Sequence, residues 1–329
     1  MIYSRSEAKK MKPNIFIDGE AGTTGLQIRE RLKGCSSVNF ISLDDVDRKK
    51  PAKRAEALND CDLAILCLPD EAAQEAVSFI KNEKVRVLDA SSAHRTNTEW
   101  AYGLPEISLQ QSEKITNSRL VSNPGCYPTG LVAMLAPLIS AGLMKPDFQV
   151  IVSATSGYSG AGKSLIQRYE DEANFDYIDT PYSAYDLHLE HKHIHEMQAH
   201  AGLELRPFFL PAIGRYRQGI LMRVPIITNS LTKSISCDEI RQVLVAHYAE
   251  SRFISVVDNK ISDQIANLTP ITLNGSNNLE IYIFHHPEYN QIVLTAVYDN
   301  LGKGASGAAV QNMYLMLGIT EYAIPDLGV

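Results

Sequence analysis

Cys126 stands in the stretch Ser122-Asn-Pro-Gly-Cys126-Tyr-Pro-Thr-Gly-Leu131. Pro124, Gly125, Pro128 and Gly130 describe a rigid turn, and the apolar run Leu131–Leu138 reads as a buried helix behind it. Pro128 fits the first helical turn, where a missing N–H costs nothing. A thiol at that place meets the positive end of the helix dipole. The dipole lowers its pKa and favours the thiolate, so nucleophilic chemistry is expected. Cys61 and Cys67 lie within or beside apolar runs and read as structural thiols.

A reacting thiol needs a partner that takes and returns its proton, and histidine does this near neutral pH. The run Tyr185-Asp-Leu-His188-Leu-Glu-His191-Lys-His193-Ile-His195-Glu196 supplies several. The competing chemistry is metal binding. On a helix His188, His191 and His195 would share a face, and on a strand His191, His193 and His195 would. The run contains no H-E-x-x-H and no clear third-ligand pattern, so no metal is expected.

Two glycine-rich turns could hold phosphate. Gly19, Gly22 and Gly25 form G-x-x-G-x-x-G between the apolar run Asn14–Asp18 and a segment with helical spacing at Leu26, Ile28 and Leu32. With Val38–Leu43 this closes a strand–helix–strand unit that could bring a pyrophosphate to a helix N-terminus, although the spacing departs from G-x-G-x-x-G. Asp44 and Asp45 stand where an acidic residue would bind a ribose 2′-hydroxyl, whereas Arg48, Lys49 and Lys50 could pair with a 2′-phosphate. The second turn, Gly157-Tyr-Ser-Gly-Ala-Gly162-Lys163-Ser164, matches G-x-x-x-x-G-K-[ST] and makes a P-loop nucleotide-binding protein the rival reading. Against it, the chain already opens with a dinucleotide-type unit. The only candidate magnesium-binding carboxylate, Asp299, is also far away in sequence.

The elements that must position these groups fall into two patterns. Leu63–Leu68 is a continuous apolar run, Asp70–Lys81 has helical spacing and Val85–Leu88 is another strand. This alternation predicts an α/β domain with a doubly wound, Rossmann-type parallel sheet over residues 1–125. After Cys126 the long β-branched runs Gln149–Ala154, Gly219–Ile227, Leu279–His285 and Gln291–Tyr298 predict an α+β second domain with a mixed sheet over residues 126–299. Gly302–Leu317, a glycine-rich turn and an Ala- and Met-rich helical stretch, is expected to return to the first domain as part of a segment 300–329.

The whole chain bounds the answer. It has 329 residues and a net charge of −7, from 31 Lys+Arg against 38 Asp+Glu, which disfavours nonspecific nucleic-acid binding. No apolar run approaches the about 18–20 residues that span a bilayer. Cys35, Cys61, Cys67, Cys126 and Cys237 are odd in number and unpaired in spacing, so a reducing cytoplasm is expected. The polar N-terminus lacks the apolar stretch of a secretory signal and reads as a short extension in which Met11 is an alternative start.

Together, the glycine turn after Asp18, the Cys126 stretch, Ser156-Gly-Tyr-Ser-Gly-Ala-Gly-Lys163 and Asp299-Asn-Leu-Gly-Lys-Gly-Ala-Ser-Gly-Ala-Ala-Val-Gln-Asn312 resemble the N-acetyl-gamma-glutamyl-phosphate reductases, in their short form. The resemblance runs from about Pro13 onward. It implies NADPH-dependent reduction of N-acetyl-glutamyl 5-phosphate to the semialdehyde through a thioester on Cys126, in arginine biosynthesis. The family's H-R-H-x-P-E falls on His191–Glu196, with Lys192 for Arg and His195 where Pro is common. His191 is then the implied acid–base residue, with the choice between His191 and His193 open. Tyr185, His193, Arg95, Asn123, Ser156 and Ser159 are implied at the substrate, Arg95 and the two serines toward its phosphate. The implied cofactor residues are Gly19, Gly22, Thr23, Thr24, Gly25, Arg48, Ser91, Asn300, Gly302 and Gly304. A homo-oligomer formed through the second domain's sheet is expected. Aspartate-semialdehyde dehydrogenase, an aminoadipyl-phosphate reductase or a catalytically idle binding module on the same fold are the alternatives.

Overall fold

The computed structural model describes residues 12–227 and 236–319. The N-terminal extension with Met11 and the last ten residues of the C-terminal segment lie outside them. The first sheet holds β1 (Asn14–Asp18), β2 (Asn39–Ile41), β3 (Leu63–Leu66), β4 (Arg86–Asp89), β5 (Ala101–Tyr102) and β6 (Leu120–Ser122) in the order β2-β1-β3-β4-β6-β5. Every pair is parallel. All four residues of β3 are buried, as a strand covered on both faces requires. The covering helices include α1 (Thr23–Arg31), α2 (Pro51–Asp60), α3 (Asp70–Phe79) and α4 (Leu109–Asn117). Because β2 lies on one side of β1 and β3 on the other, the connections diverge between β1 and β3. A crevice opens there at the carboxyl ends of the strands.

The second sheet is mixed, as its sequence pattern predicts. Its strands are β7 (Ile151–Gly157), β8 (Tyr182–Ala184), β9 (Phe208–Gly214), β10 (Ile220–Ile227), β11 (Ile254–Val256), β12 (Leu279–His285) and β13 (Gln291–Tyr298). Their order is β11-β12-β13-β10-β7-β9-β8, with only β7/β9 and β11/β12 parallel. The helices of this half are α5 (Cys126–Ser140), α6 (Lys163–Glu170), α7 (His193–Ala201), α8 (Cys237–His247) and the short α9 (Asn259–Ser262). α5 is buried along nearly its whole length. Leu131, Val132, Met134, Leu135 and Leu138 share one core with the inner face of the mixed sheet, at Val152, Met222, Ile281 and Leu294.

After β13 the chain makes a π-helical turn, Gly302–Ser306, and enters α10 (Gly307–Leu317). Ala309, Val310, Met313 and Tyr314 pack with Ile15, Ile17, Ile28 and Leu88 of the first sheet and its helices. The last described helix of the chain therefore covers the first sheet.

The turn from β1 to α1 depends on one close approach. Gly19 has φ +86°, and a Cβ there would stand 2.3 Å from the Cys67 carbonyl oxygen at the end of β3. Gly34 has a similar φ of +80° but open space around it. Gly34→Ala should therefore show only the left-handed backbone penalty, of order 1 kcal/mol. Gly19→Ala should lower stability by that penalty plus the collision, at least about 1–3 kcal/mol more. Urea denaturation of the two variants measures the difference, and equal midpoints would show that the collision is absent.

Candidate active site

β6 ends at Ser122, and Asn123-Pro-Gly turns the chain into α5. Gly125 is the extended N-cap and Cys126 the first helical residue. The turn is held by a carboxylate from α7. Glu196 Oε1 accepts from the Gly125 amide at 2.7 Å and from the Tyr102 hydroxyl at 2.8 Å, and Oε2 accepts from Arg95 Nη1 at 3.1 Å. A Cβ at Gly125 would collide with Arg95, His193 and Glu196 together, so this position admits the trio only as glycine.

Arg95 is 8% exposed. Its Nε donates to the Asn123 carbonyl at 2.9 Å, Nη2 to the Ala90 carbonyl at 3.0 Å, and Nη1 also reaches His193 Nε2 at 3.3 Å. Four of its five N–H groups thus have protein acceptors. The Asn123 side chain is likewise committed, Nδ2 to the Ala305 carbonyl and Oδ1 to Asn312 Nδ2, each at 3.0 Å. Both line the cleft, but their polar groups brace the Cys126 turn instead of standing free for a ligand. The backbone N–H groups of Asn123 and Gly125 are also taken, by the Asp89 carbonyl and Glu196. In the span 123–126 that leaves the Cys126 amide, since Pro124 has none.

The histidine run is neither one helix nor one strand. Asp186 and Leu189 have positive φ, and α7 begins only at His193. His195 is exposed, and among the described residues no three His, Cys, Asp or Glu side chains are grouped to hold a metal ion. His191 Nδ1 accepts from the His193 amide at 3.1 Å, so the neutral ring carries its proton on Nε2. Nε2 lies 3.3 Å from the Tyr185 hydroxyl, which in turn donates to Tyr127 at 3.2 Å. Burial lowers the His191 pKa and lowers that of His193 further, with Arg95 adding to the effect. Both rings are neutral at pH 7. His193 Nδ1 is buried without a partner.

These groups meet in a cleft of about 980 Å³ between the two sheets. Cys126, His191, His193 and Tyr185 line it, with Ser156 and Ser159 from the second half. Thr23, Thr24 and Ser91 face them from the first half, and Asn300 and Gly304 close one side. Asn300 Nδ2 donates to Ser159 Oγ at 3.0 Å, and the Ser156 hydroxyl donates to the Gly157 carbonyl at 3.1 Å. The loop after β7 is a 3₁₀ turn, Tyr158–Ala161, leading through Gly162 into α6. Its strand lies in the mixed sheet beside antiparallel β10, which is not the setting of a P-loop. Gly302 does not line the cleft, because its missing side chain makes room for the Ser276 carbonyl, 2.0 Å from where a Cβ would stand. Arg48 also lies outside the lining, exposed and paired with Asp45 at 3.1 Å.

Lys192 was legible only as a replacement for Arg. It lines the cleft from between two histidines, exposed and with no ion pair among the described residues. Apart from Arg95 it is the only lysine or arginine there. No spacing rule would have found it, because alternation would turn it away from the face of His191 and His193.

The first half fits a dinucleotide. The N-cap of α1, Gly22, has no side-chain hydrogen bond, and the first turn carries no acidic residue. Its leading amides therefore face the crevice without a protein acceptor, and Thr23 and Thr24 flank them. Asp44 does not point to a ribose: its carboxylate accepts from the Val46 and Asp47 amides at 2.9 and 2.7 Å, which also lowers its pKa.

The Cys126 thiol departs from the expected thiolate. Burial pushes its pKa up to about 11, while Arg95 and the Tyr127 amide act more weakly the other way. Desolvation of the charged form outweighs the helix terminus here. The resting enzyme should therefore react with iodoacetamide at Cys126 at a rate that rises about tenfold per pH unit from pH 7 to 10. A plateau near pH 7, absent in Cys126→Ser, would show that the thiol is ionised at rest.

Residues 17–116 match the family model of the semialdehyde dehydrogenase NAD binding domain, and residues 126–300 that of the semialdehyde dehydrogenase dimerisation domain. N-acetyl-gamma-glutamyl-phosphate reductase 2 of Pseudomonas putida is 50% identical over 310 residues, 94% of this chain and 98% of that protein. The N-acetyl-gamma-glutamyl-phosphate reductase of Rhizobium etli is 45% identical over 308 residues, 93% of this chain and 99% of that protein. Among solved structures, aspartate semialdehyde dehydrogenase of Francisella tularensis superposes with a TM-score of 0.71 at 16% identity, covering 93% of this chain and 100% of that one. Aspartate semialdehyde dehydrogenase II of Vibrio cholerae gives 0.70 at 15% identity, with 94% and 99% covered, and these two likenesses speak for the fold. With a thiol at a helix start, two neutral imidazoles and an anion-ready crevice in one cleft, and with relatives this similar along nearly its full length, the chain is an oxidoreductase that belongs to the N-acetyl-gamma-glutamyl-phosphate reductase family.

Proposed function

We propose that the protein reduces N-acetyl-glutamyl 5-phosphate to N-acetylglutamate 5-semialdehyde and phosphate with NADPH, in the cytoplasm, as a step of arginine biosynthesis. One observation carries the reading: Cys126 lines the same cleft as the open N-terminus of α1 and the two histidines. Its Sγ attacks the acyl carbon, a C–S bond forms, and the C–O bond to phosphate breaks. The phosphate leaves against Lys192, Ser156 and Ser159. Arg95, whose charge is neutralised by Glu196, braces the Cys126 turn and does not grip the leaving group.

His191 takes the thiol proton on Nε2 once the ring has exchanged tautomer and released the His193 amide. That exchange gives up one hydrogen bond, about 0.5–1.5 kcal/mol. The Cys126 amide, at the positive end of α5, stabilises the oxyanion. Thr23, Thr24, Ser91 and Gly304 line the part of the cleft that would hold a reduced nicotinamide, which would supply the hydride that takes the thioester to a thiohemiacetal. The C–S bond then breaks, the electron pair returns to sulfur, and His191 gives the proton back to it. The glycines at 19, 22 and 25 shape the dinucleotide turn. Asn300 holds Ser159, and Gly302 shapes the turn that carries Gly304. Arg48, on the loop after β2, is the cation nearest in sequence to where a ribose 2′-phosphate would lie, and Asp44 is committed to its own loop.

We also propose that residues 1–125 and 300–329 form the cofactor unit and 126–299 the substrate unit, and that the latter makes a homodimer. Ile151 and Phe208 sit side by side in register on the outer face of the mixed sheet, with Leu210 two residues on, all exposed in the single chain. Leu210→Glu should convert a dimer to monomers in light scattering, and a dimer that survives would place the interface elsewhere.

A phosphate-dependent NADP reduction assay with N-acetylglutamate semialdehyde and aspartate semialdehyde tests the reaction. The first should be the better substrate, and preference for the second would overturn the assignment. Cys126→Ser should lower turnover by about 10³-fold or more with cofactor binding intact. His191→Asn should remove the acid limb of kcat/KM, which lies below the ordinary imidazole range because burial lowers that pKa. If only His193→Asn does so, His193 is the acid–base residue.

A further inference from the structure

Lys303 is fully buried, which is rare for a lysine unless its charge is paired. Its Nζ donates to Glu106 Oε1 and, at 2.7 Å, to Gln311 Oε1, and it lies 5.6 Å from the Phe253 ring centroid. Gln311 Nε2 closes the triangle on Glu106 Oε1 at 2.9 Å. Glu106 belongs to the first half, in a turn between β5 and α4, and its carbonyl accepts from His247 of α8 at 2.9 Å. The three side chains therefore tie the turn 302–306 to the first half and to α10.

That turn touches the nucleophile from two sides. A Cβ at Gly304 would stand 3.0 Å from Cys126 Cβ, so the bare backbone of Gly304 walls the thiol-bearing side chain. The Ala305 carbonyl holds Asn123 Nδ2 at 3.0 Å, three residues before Cys126. The turn itself is a π-helical one, with the Gly304 amide on the Asp299 carbonyl at 3.0 Å and the Ser306 amide on the Leu301 carbonyl at 2.9 Å. Such turns are rare and are frequent at functional sites.

We propose that Lys303, clamped by Glu106 and Gln311, is a positioning residue that presses the Gly304 backbone against Cys126 and thereby sets the placement and burial of the attacking sulfur. The lysine touches neither thiol nor substrate and acts only through the turn.

The test is carried out on full-length protein. Lys303→Met alone leaves the Glu106 carboxylate buried without a cation, so Glu106→Gln/Lys303→Met is the decisive variant, with both charges removed. In the folded double variant kcat should fall about 10- to 100-fold at nearly unchanged KM, the loss expected when a reacting group moves by about 1 Å. The pH midpoint of Cys126 alkylation by iodoacetamide should drop from about 11 toward the ordinary 9.0 as the wall loosens. If either readout is unmoved in the folded double variant, the pair serves stability alone and the proposal is overturned. The kcat arm rests on the reductase reading and the alkylation arm does not. A wild-type protein without reductase activity would thus refute that reading while the midpoint still decides this one.

Discussion

The Glu196 carboxylate is the contact on which the geometry of the cleft depends. It is buried, yet it accepts from a guanidinium, a phenol and a backbone amide contributed by three separate segments. A buried charge with fewer partners would be strongly unfavourable, and breaking such a pair by removing one side costs about 3–5 kcal/mol. The arrangement is therefore all or none. When α7 docks against the first sheet, the Gly125 amide is fixed and Cys126 with it. The Cys126 thiol does not stand on a free loop but on a turn whose coordinates are set by the contact between the two halves.

The same burial has a chemical price for the thiol. Packing the Cys126 turn against Arg95, His193 and the Gly304 backbone removes water, and the thiolate loses more hydration than the helix terminus returns. The neighbouring imidazoles are held neutral by the same desolvation. Desolvation thus favours the uncharged form of the thiol and of both imidazoles, so none of the three buries a charge at neutral pH.

Much of this was legible in the amino-acid order, and the omissions have physical reasons. β1, β12 and β13 were readable at their observed ends, because each is built on an unbroken apolar or β-branched run, residues 15–17, 281–284 and 292–298, between polar residues or turns. β9 was not read: Pro211 cuts its apolar run after three residues, whereas β10 keeps five residues ahead of Pro225, and the missing N–H of Pro211 is tolerated between β7 and β8. β5 and β6 are two and three residues long and exist only because neighbours pair with them. Cys126 and the histidine run announced themselves through local spacing. The commitments of Arg95 and Asn123 did not, because the side-chain and backbone groups that hold them at Glu196, Ala305 and Asn312 lie about a hundred or more residues away. Gly302 and Gly304 look alike in sequence, and only the fold separates the one that makes room for Ser276 from the one that borders the thiol.

The return of α10 to the first sheet bears on how the chain is made. Ala309, Val310, Met313 and Tyr314 complete a core begun by Ile15 and Ile17 at the opposite end of the chain. α10 is made after β13, so the first sheet remains open along one apolar face until every strand of the mixed sheet has been synthesised. The order of synthesis and the order of completion are thus inverted: the first sheet is made before the mixed sheet and closed only after the mixed sheet has been made.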